Sequence, residues 1–128
     1  MDAKVNPNEL IKANSNYLRG TLRESLADEL TGALSPADAQ ISKFHGFYEQ
    51  DDRDLRQDRR ERFLEPRYDF MLRARLPGGV CTPEQWLVLD EIARTLANGT
   101  LRLTTRQTFQ YHGIVKRDIK GVIQSINR

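Results

Sequence analysis

Only one cysteine, Cys81, stands in the chain of 128 residues, so an internal disulfide and an all-cysteine metal site are both excluded. Two histidines, His45 and His112, do not make a zinc site, and no residue is expected to ligate a metal. No apolar run approaches the ~20 residues that a membrane-spanning helix requires. The first residues, MDAKVNPNELIKANSNYLRG, lack the apolar core and small-residue cleavage site of a secretion signal. An excess of one charge is missing too: 20 Lys and Arg against 18 Asp and Glu leave +2, too little to imply a nucleic acid or a membrane surface. These absences favour a cytoplasmic location. What remains is an ordinary globular composition, 30% charged and 38% hydrophobic, sized for one domain or one domain with a tail.

Three zones follow along the chain. Apolar spacing through Leu10, Ala13, Tyr17, Leu18, Leu22 and Leu26 predicts a helix from about Asn8 to Ala27, weakened by Gly20. TGALSPADAQ (31–40) reads as a linker, followed by the short aromatic KFHGFYEQ. Residues 51–62 then hold five acids and five arginines, a solvated arm stitched by local ion pairs or a partner-docking arm. Residues 1–62 therefore read as a helical and irregular N-terminal extension.

From residue 63 to 128 the pattern tightens. YDFMLRARLPGG alternates Phe70, Leu72, Ala74 and Leu76 against Met71, Arg73 and Arg75, as a strand does. Thr82, Pro83 and Gln85 open a helix with a capping box, Trp86, Val88, Leu89, Ile92, Ala93 and Leu96 give it a buried stripe, and Asn98-Gly99 stops it. LRLTTRQTFQYHG (101–113) reads as a hairpin turning near Thr105-Arg106-Gln107, and RDIKGVIQSINR begins a second helix. The order strand, helix, strand, strand, helix is the split βαβ plan of a ferredoxin-like α+β fold without its last strand. That half-domain is expected to be incomplete at the C-terminus, with a sheet edge left unpaired.

In such a fold both helices cover one sheet face. The apolar parities, 70/72/74/76 and 101/103/109/111, should meet them. Arg73, Arg75, Arg102, Arg106, Gln110 and His112 then fall on the open face. Arginine grips carboxylates and phosphates bidentately, so the face fits a large polyanion. The plain alternative is a solvated face whose arginines pair with acids from elsewhere. An RNA-binding domain is a rival, but it needs exposed rings for base stacking, and Phe109 and Tyr111 fall on the helix side. His112 near a strand end and Cys81 before a helix have ordinary structural readings as well.

The stretches SNYLRGTL (15–22), KFHGFYEQDDRDLR (43–56), LEPRYDFMLRARLPGG (64–79) and GTLRLTTRQTFQYHG (99–113) resemble the sulfite and nitrite reductase family, and the first two are similar to its assimilatory, NADPH-dependent sulfite branch. The resemblance runs in order from about Asn14 onward. It implies reduction of sulfite to sulfide by six electrons on siroheme coupled to a [4Fe–4S] cluster. It places Arg73 at the distal side of siroheme, toward the anionic substrate. Arg102, Thr104, Thr105 and Arg106 match positions around the siroheme carboxylates, with Gln110 and His112 in the same motif; Arg75 is less defined. The family's cluster-binding cysteine pairs have no counterpart here, so this chain alone is expected to be inactive and to hold neither cofactor stably. The resemblance also implies a flavoprotein subunit as electron donor, with residues 1–62 as its docking arm. A purely non-catalytic docking module is the alternative.

Overall fold

The computed structural model describes residues 3–128. A four-stranded antiparallel sheet carries the structure, in the order β1-β2-β4-β3. Its strands are β1 (Phe47–Asp51), β2 (Tyr68–Ala74), β3 (Leu101–Leu103) and β4 (Phe109–Ile114). The helices are α1 (Pro7–Ala13), α2 (Leu22–Ala27), α3 (Pro36–Ser42), α4 (Arg53–Glu61), α5 (Pro83–Leu96) and α6 (Ile119–Ile126). β2, α5, β3, β4 and α6 follow the expected split βαβ order.

The local signals act as their chemistry dictates. The Thr82 hydroxyl accepts from the Gln85 amide while the Gln85 side chain accepts from the Thr82 amide, closing the capping box that starts α5. Gly99 takes φ +86° after the helix, where a β-carbon would be strained. The hairpin closes with Thr104 N donating to Thr108 O at 2.9 Å and Gln107 N to Thr104 O at 3.0 Å.

The expected parity also governs the core. Phe70, Leu72, Ala74, Phe109 and Tyr111 are buried with Leu89, Ile92 and Ala93 of α5 and Ile119 and Val122 of α6. Tyr111 satisfies its buried hydroxyl by donating to Leu89 O at 3.0 Å. Burial of the ring raises the phenol well above its ordinary pKa. Two apolar expectations fail at the periphery. Leu103 ends a three-residue edge strand and is 78% exposed, while Trp86 and Val88 sit on the outer flank of α5, with Trp86 47% exposed. Trp86 touches the core through Phe109 alone among the rings, at 5.8 Å between centroids.

The N-terminal zone differs most from expectation. A single helix over 8–27 does not form. The chain breaks between α1 and α2, with Asn16, Tyr17 and Leu18 all at positive φ, 50° to 66°. Such backbone is costly for bulky residues and persists only when surroundings hold it. Here Leu18 N donates to the Ser15 hydroxyl, and the buried Asp38 carboxylate accepts from Thr21 N, Thr21 Oγ1 and Ser25 Oγ at 2.5–2.9 Å. The expected linker is in large part α3, because Ser35 caps it and Pro36 occupies its first turn.

The edge of β2 expected to lack its strand is covered. β1 pairs antiparallel along it, from Phe47 opposite Leu72 to Asp51 opposite Tyr68. Further ties bind the extension to the sheet-and-helix body: Leu34 N donates to Glu49 Oε2 at 2.7 Å, and buried Lys116 donates to the carbonyls of Asp28 and Ala33. Packing therefore does not divide at the 62/63 boundary that composition indicates. α4 matches the expected arm: it buries no residue, is capped by Asp52, and is stitched by Arg56–Asp51 at 2.7 Å and Arg62–Asp58 at 3.3 Å.

Candidate functional site

Register places the sequence-derived residues across three strands. Arg73 on β2 lies opposite Gln110 on β4, and Gln110 lies opposite Arg102 on β3. These three form one transverse row on the face turned away from α5 and α6. His112 is two residues along β4 from Gln110 on the same side. Tyr48 joins from β1, opposite Met71.

At one end of this face opens a cleft of about 790 Å³, within the range of small-molecule sites. Arg73, Arg75, Arg106, Lys43 and His45 line it, with Tyr48, and no carboxylate does. Among the described residues, Arg73, Arg75, Arg102 and Arg106 form no ion pair, whereas Arg56, Arg62 and Arg94 do. Among the described residues, then, no acid of this chain neutralises these four arginines, and any acidic partner would have to come from elsewhere. Arg73 is half-buried while Arg75, Arg102 and Arg106 are exposed, so its free guanidinium attracts anions more strongly than the same group in open solvent.

Two polar atoms on this face are buried without a hydrogen-bond partner: Arg73 Nε and His112 Nε2. Buried polar groups are normally satisfied, so each such atom calls for a ligand or a water. His112 is pushed below the ordinary imidazole pKa, first by burial and then by Arg102, against the opposing effect of Asp69. Asp69 is raised, first by burial and then by Asp52, with His112 and Arg67 acting the other way. One carboxyl therefore does approach the far end of this face, next to His112 and away from the cleft.

The remaining expected residues divide. Thr104 caps the hairpin turn, its hydroxyl accepting from Arg106 N at 3.2 Å, and Thr105 is exposed in that turn. Neither lines the cleft. Thr108, on the same even-numbered parity as Arg102 and Arg106 though not among the expected cofactor residues, does line it and donates its hydroxyl to Ala74 O, joining the hairpin to the end of β2. Lys43, His45 and Tyr48 were missed as site residues. They come from the extension, carried there because Arg73 N donates to Gly46 O at 2.8 Å as β1 runs into the sheet. Their one sequence signal is the KFHGFYEQ stretch. Gly46 sits at φ +91°, and a β-carbon there would stand 3.3 Å from Arg73 O, so this crossing has little room for a side chain.

Among the described residues there is no group of three or more His, Cys, Asp or Glu placed to hold a metal ion, and no helix is long and apolar enough to cross a membrane. Phe109 and Tyr111, at 5% and 0% exposure, are unavailable for stacking on bases.

A family profile described as the nitrite/sulfite reductase ferredoxin-like half domain matches residues 64–128. The sulfite reductase [NADPH] hemoprotein beta-component of Thiocapsa roseopersicina is 69% identical over 127 residues, covering 99% of this chain and 23% of its own length. The protein of the same name from Chromohalobacter salexigens is 63% identical over 125 residues, covering 98% of this chain and 22% of its own. The chain thus spans under a quarter of the length of these relatives. Among solved structures, that of the Mycobacterium tuberculosis NirA protein matches with a TM-score of 0.74 at 23% identity, over 98% of this chain and 24% of that one. That last likeness concerns the fold.

Proposed function

The chain belongs to the nitrite/sulfite reductase ferredoxin-like half-domain family, and from that premise we propose that it forms the siroheme-facing front portion of a sulfite reductase hemoprotein, which reduces sulfite to sulfide with six electrons. The observation that carries this reading is the cleft whose lining gathers Arg73, Arg75, Arg106, Lys43 and His45 with no acid among them. A tetrapyrrole bearing a ring of carboxylates fits that chemistry, as do the partnerless Arg73 Nε and His112 Nε2.

When bound, siroheme coupled to a [4Fe–4S] cluster would supply electron chemistry that protein side chains lack. The residues of this chain bind and orient. Arg102, Arg106, Gln110 and His112 hold cofactor carboxylates, with the Thr104–Thr105 turn setting the reach of Arg106. Arg73 faces the substrate anion and stabilises charge that grows as S–O bonds break. Burial, and then Arg102, push His112 below the ordinary imidazole pKa, and its buried, unpartnered Nε2 is available to a cofactor carboxylate. The donor set for a metal cluster is not found among the described residues, so the chain by itself is proposed to be inactive and to need further residues for stable cofactor retention.

The electron donor is proposed to be a flavoprotein subunit that oxidises NADPH, in a cytoplasmic enzyme. Its docking arm is the extension, residues 1–62, centred on α4, where no helical residue is buried and beside which Phe63 is 97% exposed. In the hemoprotein carrying this segment, Arg73→Ala should lower sulfite turnover by ~10²-fold or more while leaving the thermal midpoint near that of the parent. Normal turnover in that variant refutes the substrate role.

A further inference from the structure

Arg73 is held in an unusual way for a site arginine. Such residues are commonly fixed by a carboxylate, which orients the guanidinium but cancels its charge and occupies its donors. Arg73 has no ion-pair partner among the described residues. Its Nε is buried and unpartnered. The group that meets its guanidinium is an aromatic ring: Arg73 Cζ lies 5.1 Å from the centroid of Tyr48.

We propose that Tyr48 is a positioning residue, whose ring holds the Arg73 guanidinium over the cleft while leaving its charge and N–H donors free for the bound anion. The inference rests on the anion-binding reading of the cleft. Two further observations support it. Tyr48 is on the strand that fills the β2 edge, and its register partner is Met71, so its side chain shares the face of Arg73, two residues further along β2. The Arg73 amide donates to Gly46 O at 2.8 Å, which locks the β1–β2 crossing beside the pair. The ring face attracts the cation without competing for its in-plane hydrogen bonds. The site thus gains order and keeps its full positive charge. The extension serves the site directly in this arrangement, by carrying the restraint for its central arginine.

The test uses the 128-residue chain and uroporphyrin, a metal-free tetrapyrrole octacarboxylate, with binding read by fluorescence anisotropy at fixed salt. Tyr48→Phe keeps the ring and should bind as the parent does. Tyr48→Leu keeps a strand-compatible apolar residue without the ring and should weaken binding about fivefold. Arg73→Ala separates the two claims. If it binds as tightly as the parent, the anion-site reading fails; if it is weakened while folded Tyr48→Leu is not, the positioning role alone is overturned. A second readout does not depend on binding. In the parent and in Tyr48→Phe, the Arg73 side-chain protons should show upfield ring-current shifts in NMR spectra, and these should vanish in Tyr48→Leu. Absence of those shifts in the parent overturns the proposal even if Tyr48→Leu does not fold.

Discussion

Replacing Lys116 with methionine asks whether the extension is part of the cooperative fold. The Lys116 ammonium donates to the carbonyls of Asp28 and Ala33, more than eighty residues earlier in the chain, and the residue is buried. Methionine keeps most of the aliphatic stem, so packing is nearly conserved while two charge-assisted hydrogen bonds disappear. Such bonds contribute ~1.5–3 kcal/mol each, and the lower end applies because the 28–33 backbone lies near solvent and can rehydrate. Loss of the ammonium's desolvation cost offsets a further part. A net destabilisation of ~2 kcal/mol follows, which for a urea m-value of ~2 kcal/mol/M lowers the midpoint by ~1 M. Fluorescence of Trp86, the chain's one tryptophan, reports the α5 side of the core, whereas far-ultraviolet dichroism reports all helices. Both signals should shift together in one transition. A Trp86 midpoint that is unchanged or raised refutes the claim that the extension and the ferredoxin-like part are stapled into one unit.

Acid should act through Asp38. Burial alone would raise its carboxyl, but hydrogen bonds from Ser25 and Thr21 outweigh that and hold it below the ordinary carboxylate range. The unfolded chain therefore takes up this proton first, so the stabilisation is present above about pH 4 and is lost as pH falls through the folded value. Asp38→Asn should cost ~1–3 kcal/mol at neutral pH and flatten the acid limb of a Tm-against-pH curve; a limb as steep as the parent's contradicts the assignment. Gly113→Ala should lower Tm by ~8 °C, because Gly113 sits at φ +72° and an added β-carbon would stand 2.7 Å from Asn98 Cβ. A calorimetric Tm equal to the parent's would show that this crossing yields more easily than its geometry implies.

Much of the ferredoxin-like part was legible because its signals are local. The Thr82/Gln85 box, the Gly99 stop and the β2 alternation each fix structure within a few residues, and the parity they set also placed Arg73, Arg102, Gln110 and His112 on one face. The extension resisted because its structure is set at long range. The spacing of Leu10, Tyr17 and Leu22 suits a helix, yet Asp38 pulls Thr21 and Ser25 into a different path, and Asn16, Tyr17 and Leu18 are left-handed. β1 is five residues long and is specified by pairing with a strand some twenty residues later. For the same reason Lys43, His45 and Tyr48 could not be placed in the cleft from local pattern. They arrive only once Gly46 is brought against Arg73.

The central claim is that the open sheet face, completed by the extension, is an anion-binding surface. Titrating the chain with uroporphyrin while following arginine Nε–Hε resonances tests it most directly. Arg73, Arg75, Arg102 and Arg106 should shift, and Arg94, ion-paired on α5 to Asp90 and Glu91, should stay in place. Equal movement of Arg94 and the four face arginines, or movement of Arg94 alone, would contradict the account.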